Sequence, residues 1–179
     1  MSQSTPLQVP ETVQTIRLNP QFKHEVAREE GGDSIRFCFQ CGKCTATCPV
    51  RRLESTYKPR QIIRATLLGL KELVLSSDTI WLCASCFSCT ERCPQGVKLT
   101  DVMRALRNIA VREGHIHPFY KAQSKMIASF GRIFDDDAFI NELRDELGLP
   151  QIPIVNTQQV AKILEPTRLN EILESEEEE

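Results

Sequence analysis

The sequence has little that would suit a membrane protein, a nucleic-acid binder or a secreted protein. Its longest apolar runs, ATLLGL and ELVL, are far shorter than the roughly 20 residues that span a bilayer. The formal net charge is -2, and basic and aromatic residues are not interleaved as in single-strand binders. The amino-terminal MSQSTPLQVPETVQ lacks the basic start and apolar centre of a signal peptide. We therefore expect a cytoplasmic protein with no membrane span and no nucleic-acid partner.

Signatures of catalysis are missing as well. The sequence contains no glycine-rich dinucleotide fingerprint and no phosphate-binding loop, so no flavin or nicotinamide site is expected. The three histidines, His24, His115 and His117, are scattered outside the cysteine-rich stretches. We predict no catalytic residue in this chain.

All eight cysteines fall in two copies of one pattern, CFQCGKCTATCP at 38–49 and CASCFSCTERCP at 83–94. In a secreted chain they could form four disulfides, whereas in a reducing compartment such dense cysteines indicate metal binding. The candidate ligands are Cys38, Cys41, Cys44, Cys48, Cys83, Cys86, Cys89 and Cys93.

Three cysteines at intervals of three can hold three corners of an iron–sulfur cubane. In the bacterial ferredoxin run C-x2-C-x2-C-x3-C-P, the fourth cysteine ligates the other cluster. Applied to this sequence, the rule predicts one [4Fe–4S] cluster on Cys38, Cys41, Cys44 and Cys93, and a second on Cys83, Cys86, Cys89 and Cys48. Zinc is the competing metal, but four-cysteine zinc sites usually draw on two separated pairs. A zinc-bound or purely structural adaptor is the alternative from a different class.

The repeat extends beyond the cysteines. With an offset of 45 residues, Asp33, Ser34 and Ile35 fall on Asp78, Thr79 and Ile80, and further on an offset of 40 places IIRA (62–65) on VMRA (102–105). Matching of this length indicates an internal duplication.

The remaining pattern is helical. No alternation of period two is long enough to predict a sheet, so the fold class is mostly α. Asn19–Pro20 predicts the start of a helix that stops at Gly31, and Thr100 is expected to cap the helix whose buried face holds Val102, Leu106, Ile109 and Ala110. Further helices are predicted within 59–75, at 117–130, from 135–137 (with Asp137 at its start) to 147, and at 157–164.

We predict an amino-terminal arm and short helix at 1–32, a helical ferredoxin domain at 33–115, and a helical extension with an acidic tail at 116–179, which we expect to dock on a partner.

Basic and aromatic residues flank the cysteines. The basic set is Lys43, Arg51, Arg52, Arg92 and Lys98, and the apolar set is Phe37, Phe39, Trp81, Leu82 and Phe87. The basic residues could balance the negative charge of a cluster, form a partner-facing surface or take part in ordinary ion pairs. The apolar residues could shield a cluster from water or belong to the ordinary core.

The sequence resembles two known groups. The helical insert between Cys48 and Cys83 resembles the all-helical ferredoxin domain of succinate dehydrogenase and fumarate reductase iron–sulfur subunits. Four segments, CFQCGKCTATCPV, KPRQIIRATLLG, WLCASCFSCTERCPQGV and VMRALRNIAVREG, resemble the iron–sulfur C subunit of heterodisulfide reductase from methanogenic archaea. This resemblance covers about residues 33 to 150.

The second resemblance implies an electron-transfer protein with two [4Fe–4S] clusters, whose eight ligands map onto the eight cysteines without a gap. It implies transfer from a flavin-containing, electron-bifurcating A subunit to a catalytic B subunit that reduces the mixed disulfide of coenzyme M and coenzyme B. A larger complex with a hydrogenase or formate dehydrogenase module is expected. The alternative is the equivalent component of another oxidoreductase, such as a succinate, fumarate, glycolate or sulfur-metabolising enzyme.

Overall fold

The computed structural model describes residues 18–134, 138–153, 155–167 and 169. Within these ranges the chain is helical and contains no strand, so the prediction of a mostly α fold is confirmed. The backbone divides between His115 and Ile116 into two compact units. The three predicted domains stay predictions, because the arm at 1–17 and the acidic tail lie outside the described residues.

The first unit contains seven α-helices and the second contains three within the described ranges. They are α1 Phe22–Arg28, α2 Lys43–Ala46, α3 Pro49–Leu53, α4 Pro59–Leu67, α5 Lys71–Leu75, α6 Ser88–Glu91, α7 Leu99–Arg112, α8 Pro118–Phe130, α9 Ala138–Glu146 and α10 Thr157–Leu164. Short 3-10 helices span Asp33–Phe37, Asp78–Leu82 and Glu165–Thr167. No helix in the described part of the chain is long and apolar enough to cross a membrane.

The duplication seen in the sequence is reproduced in the first unit. The two 3-10 helices that precede the cysteine motifs, and the short helices α2 and α6 inside them, match at an offset of 45, and α4 and α7 begin at an offset of 40. A hydrogen bond is repeated too. The Arg60 N–H donates to Thr45 Oγ1 at 2.9 Å, and the Thr100 N–H donates to Thr90 Oγ1 at 3.3 Å. Each long helix is therefore anchored by its first turn to its own cysteine motif.

The core of the first unit lies between α1, α4 and α7. All four residues predicted for the buried face of α7 are buried. Opposite them lie Ile62 and Ile63 of α4 and Phe22 of α1, each of which is fully buried. Because each such side chain contributes about 1.5–3 kcal/mol when removed from water, this apolar centre holds the two cysteine motifs in place.

Two predicted helix caps are wrong. Helix α1 begins at Phe22 rather than at Pro20, because Asn19 is held in a turn: its N–H donates to the Gly69 carbonyl at 2.8 Å, and its Oδ1 accepts from the Gln21 N–H at 3.0 Å. Thr100 lies inside α7, which begins at Leu99, and its hydroxyl faces the second cysteine motif instead of capping the helix.

The connection between α4 and α5 turns at Gly69, which has a φ of 81°. The sequence left open whether 59–75 forms one helix or two, and the structure contains two. The left-handed conformation at Gly69, which L-residues adopt only at a cost, ends the first of them.

Lys71 links three parts of the first unit. Its Nζ lies 3.0 Å from Glu25 Oε2 and also pairs with Glu113. Burial lowers the pKa of Lys71, but the hydrogen bonds and charges of Glu113 and Glu25 outweigh it and raise this pKa above 10.5. A raised pKa means that the stabilisation is complete below the unfolded-state pKa and is lost only as pH rises through the folded-state value.

We therefore expect Lys71→Gln to lower the free energy of unfolding by about 1 kcal/mol, equally at about pH 6 and pH 9, where the carboxylates are ionised and lysine is charged. Denaturant unfolding at the two pH values measures this. Lys23→Gln on α1 is the matched control, because it removes the same charge without breaking an ion pair among the described residues. A penalty that differs between the two pH values would contradict the assignment to Lys71.

The second unit has a helix at each of the three positions predicted for it. His117 caps α8 by accepting from the Phe119 N–H at 3.2 Å, and Gly131, with a φ of 70°, ends it. Helix α10 matches the predicted 157–164, and it packs on α8. Helix α9 begins at Ala138, so the predicted role of Asp137 lies outside the described residues. No described residue of this unit is fully buried.

Candidate metal-cluster site

The eight cysteines line two cavities. The first cavity is lined by Cys38, Cys41, Cys44 and Cys93, and the second cavity by Cys48, Cys83, Cys86 and Cys89. Their volumes, including the parts open to solvent, are about 320 Å³ and 340 Å³. Each cavity thus combines three cysteines of one motif with the last cysteine of the other, and two sites of nearly equal size result.

The loops between the cysteines turn through left-handed residues. Gln40 and Gly42 have φ values of 63° and 85° in the first motif, and Ser85 and Phe87 have 50° and 61° at the matching positions of the second. A left-handed residue on either side of the middle cysteine curls the backbone, and this brings the three thiols of one loop to one cavity. Gly42 adopts the left-handed conformation without strain in the first motif. Phe87 adopts it at the matching position of the second motif although it carries a side chain.

Pro49 marks the point at which the chain leaves the first cysteine loop. Cys48 is extended, and Pro49 immediately starts α3. Proline fits the first turn of a helix, where its missing N–H costs nothing. The chain therefore turns away after Cys48, which lies in the cavity of the other motif.

The donor set fits an iron–sulfur cluster. Four thiols line each cavity, and neither lining includes a histidine or a carboxylate. No three His, Cys, Asp or Glu side chains in the described ranges could hold a single metal ion, and a cubane has no such requirement because each thiolate binds a different iron. Cys41 and Cys86, the middle cysteines, are exposed, whereas Cys48 is buried.

Hydrogen bonds reach the sulfur atoms in both cavities. In the first, Gln40 Nε2 donates to Cys38 Sγ and the Val97 N–H donates to Cys93 Sγ, each at 3.3 Å. In the second, Cys89 Sγ and Thr100 Oγ1 lie 3.7 Å apart. Donors of this kind stabilise sulfur ligands that carry negative charge.

The thiols differ in acidity according to burial. Desolvation raises the pKa of Cys44 to about 11, and it also raises the pKa of Cys89. The pKa of exposed Cys86 is lowered, chiefly by its hydrogen bond with Ser88. A buried thiolate is costly without a cation beside it, so these sites suit a metal centre that supplies one.

Only one of the basic residues predicted from the sequence lines a cavity. Lys43 lines the first cavity, where it is joined by Arg60, which lies outside the basic set predicted from the sequence. At the matching offsets of 45 and 40, the second half has Ser88 and Thr100. The signal that could have identified Arg60 is its alignment with Thr100, next to the second motif.

None of the five residues in the predicted apolar set lines a described cavity. Trp81 and Leu82 pack against the core, as the alternative interpretation expected. Phe37, Phe39 and Phe87 are 51%, 59% and 48% exposed and therefore do not fill the core. Tyr57 and Met103 provide apolar lining in the second cavity instead. Burial raises the pKa of Tyr57 far above its usual range.

Arg107 fixes the segment that leads into the second motif. Its Nε donates to the Ile80 carbonyl at 2.9 Å and its Nη2 donates to the Cys83 carbonyl at 2.7 Å. The guanidinium also lies over the Trp81 ring, 5.8 Å from its centroid. The matching position in the first half is Leu67, which cannot make these bonds.

The fold and the cysteine geometry define the class of protein. Residues 34–97, which span both motifs and the helices between them, match the family described as the 4Fe-4S dicluster domain. The chain therefore carries an iron–sulfur domain of the two-cluster type on a helical framework.

Comparison with curated proteins gives the particular family. The chain is 36% identical over 162 residues to the C subunit of the H(2):CoB-CoM heterodisulfide,ferredoxin reductase of Methanothermobacter marburgensis, covering 87% of this chain and 86% of that protein. It is 39% identical over 140 residues to an iron-sulfur C subunit, numbered 2, of the CoB--CoM heterodisulfide reductase of Methanocaldococcus jannaschii, covering 74% of each. It is 38% identical over 122 residues to the C subunit of the Ferredoxin:CoB-CoM heterodisulfide reductase of Methanosarcina mazei, covering 68% of this chain and 74% of that protein.

The chain belongs to the family of heterodisulfide reductase C subunits. The resemblance to this family noted in the sequence is confirmed.

Proposed function

We propose that this chain transfers single electrons through two [4Fe–4S] clusters and performs no catalysis of its own. The observation that carries the proposal is the lining of the two cavities. Cys38, Cys41, Cys44 and Cys93 would hold one cluster, and Cys48, Cys83, Cys86 and Cys89 would hold the other. When bound, such clusters exchange single electrons without breaking bonds.

The chain's own residues perform three tasks in this proposal. The cysteines supply the ligands, the core between α1, α4 and α7 fixes the distance between the two cavities, and donors such as Gln40 Nε2 stabilise sulfur against added negative charge. A rigid framework of this kind suits electron transfer, because little has to move when the charge changes.

We propose further that the chain works in a cytoplasmic complex, between the flavin-containing bifurcating A subunit and the catalytic B subunit of a heterodisulfide reductase. The catalytic partner would reduce the mixed disulfide of coenzyme M and coenzyme B, and a hydrogenase or formate dehydrogenase module would supply electrons. The names of the relatives support this, since each is the C subunit of a heterodisulfide reductase.

The second unit would contact these partners. Phe139, Leu147 and Ile163 are 64%, 66% and 69% exposed, and apolar side chains at this exposure in several helices are typical of a protein–protein interface. Their burial against a partner protein would complete a core that the described residues do not form.

The test begins with the chain purified without oxygen, together with the bifurcating and catalytic partners from the same organism. We expect about eight irons and eight acid-labile sulfides per chain, copurification of the three proteins, and reduction of the heterodisulfide only when the iron-loaded chain is present. A zinc-loaded preparation of the same chain is the matched control, because it retains a metal but cannot accept an electron. Zinc in the native protein, or heterodisulfide reduction without the chain, would refute the proposal, and copurification with a succinate or glycolate enzyme would favour the alternative complex.

A further inference from the structure

Tyr57 distinguishes the two cavities from one another. It is only 1% exposed and lines the second cavity beside Cys48 and Cys83. Because the ring lies among the cysteines of this lining, its hydroxyl is a hydrogen-bond donor available to the sulfur atoms there. At the matching position of the duplication, at the offset of 40, stands Val97, which lines the first cavity. The same place in the fold therefore holds a phenol at one site and an aliphatic side chain at the other.

The chemical consequence concerns negative charge. A tyrosine hydroxyl, with an ordinary pKa of about 10, is protonated at neutral pH and is a hydrogen-bond donor. Hydrogen bonds to the sulfur atoms of an iron–sulfur cluster contribute to its reduction potential, since the reduced form is more negative and gains more from a donor. Val97 offers only its backbone N–H, which donates to Cys93.

Location strengthens the effect. The lining of the second cavity includes Val50, Pro59 and Met103, so water competes little for the Tyr57 hydroxyl, and hydrogen bonds are electrostatically stronger in such surroundings. The first cavity is instead lined by Lys43 and Arg60. Negative charge would therefore be stabilised differently at the two sites, by the buried Tyr57 hydroxyl at the second and by the partly solvated cations Lys43 and Arg60 at the first.

We propose that Tyr57 raises the reduction potential of the centre held by Cys48, Cys83, Cys86 and Cys89 and leaves that of the other centre unchanged. This inference rests on the proposed function, because it presupposes a cluster in each cavity. The duplication supplies two similar ligand sets. The difference between Tyr57 and Val97 would then give the two centres different reduction potentials.

The test is Tyr57→Phe in the full-length, anaerobically reconstituted chain. The substitution removes the hydroxyl and keeps the ring. The measurement is a redox titration monitored by electron paramagnetic resonance. At a fixed potential, the ratio of reduced to oxidised second centre should fall by roughly three- to tenfold. A tenfold fall corresponds to 59 mV for one electron. The first centre should not move. Tyr120→Phe is the matched control, because Tyr120 is the other tyrosine of the chain and lines neither cavity.

A second measurement detects the proton of the Tyr57 hydroxyl directly and does not depend on a shift in reduction potential. In the Cys93→Ala background, which should retain the second centre alone, exchange into deuterated buffer should remove a strongly coupled proton signal from the reduced centre. Tyr57→Phe in that background should lack the part of the signal that comes from the Tyr57 hydroxyl and keep any part that comes from Thr100, whose Oγ1 lies 3.7 Å from Cys89 Sγ.

Three results would overturn the inference. They are an unchanged midpoint of the second centre in Tyr57→Phe with full iron content, an equal shift of both centres, and loss of the second centre altogether, which would show that Tyr57 is needed for binding. In each case the iron content and two reducible centres of the unaltered chain would leave the proposed function standing. An unaltered chain without iron would instead refute the proposed function.

Discussion

Cys48→Ala is expected to abolish the cluster of the second motif and to spare the cluster of its own motif. The reason is that Cys48 lines the cavity of Cys83, Cys86 and Cys89, although it lies 35 residues from the first of these in sequence. Iron content should fall from about eight to about four per chain, and the remaining centre should keep its spectrum and its midpoint potential. Alanine is preferred to serine because a serine oxygen can replace the lost sulfur.

Double variants separate crossed from uncrossed ligation. If the ligands are crossed, adding Cys83→Ala to Cys48→Ala costs no further iron, whereas adding Cys38→Ala removes the rest. Uncrossed ligation predicts the reverse in both pairs. Cys93→Ala provides the mirror case, since Cys93 lines the first cavity. Spectra from iron-57-labelled protein, together with metal analysis, read out all of these variants.

Gly69→Ala is expected to destabilise the first unit severely. Gly69 has a φ of 81°, and a Cβ there would lie 2.4 Å from the carbonyl oxygen of Asn19. This oxygen belongs to the backbone of a turn that is itself hydrogen-bonded to Gly69, so the neighbour cannot withdraw without breaking the connection. We expect a loss of about 3 kcal/mol or more, which lowers the melting temperature by roughly 10 °C.

The chain supplies its own control for this prediction. Gly114 has a φ of 82°, almost the same as Gly69, but a Cβ there would meet nothing within 4 Å. Gly114→Ala should therefore cost only the left-handed conformation, about 1 kcal/mol or roughly 3 °C. Circular dichroism of the iron-loaded proteins, heated at one common rate, compares the two. Equal losses would show that crowding by Asn19 is not the cause.

Much of the fold was predictable because its signals are local. The cysteine spacing, the periodic apolar residues of α7 and the glycine after α8 each act within a few residues along the chain. The internal repeat was also readable, and the structure reproduces its offsets of 45 and 40. These signals specify elements and their order, and they specify which residues are related by duplication.

What the sequence did not reveal depends on contacts between distant segments. Asn19 resembles a helix cap, yet its backbone is bound to Gly69, and Thr100 resembles another, yet its hydroxyl faces Thr90. Tyr57 and Arg60 escape notice in the sequence because nothing in their own neighbourhood marks them. Only when each is aligned with its partner in the other half, Val97 and Thr100, does its place beside a cavity become apparent.

The exposure of Cys41 and Cys86 has a consequence for how the protein survives in air. Each is the middle thiol of its loop and the one that solvent reaches most easily, so dioxygen would attack each site first at that same corner. The distance from the metal centre to a docked protein would also be shortest at this cysteine. The position most open to oxidation would therefore also be the position best placed for electron transfer. A partner protein docked over it would shield the metal from dioxygen and accept the electron there.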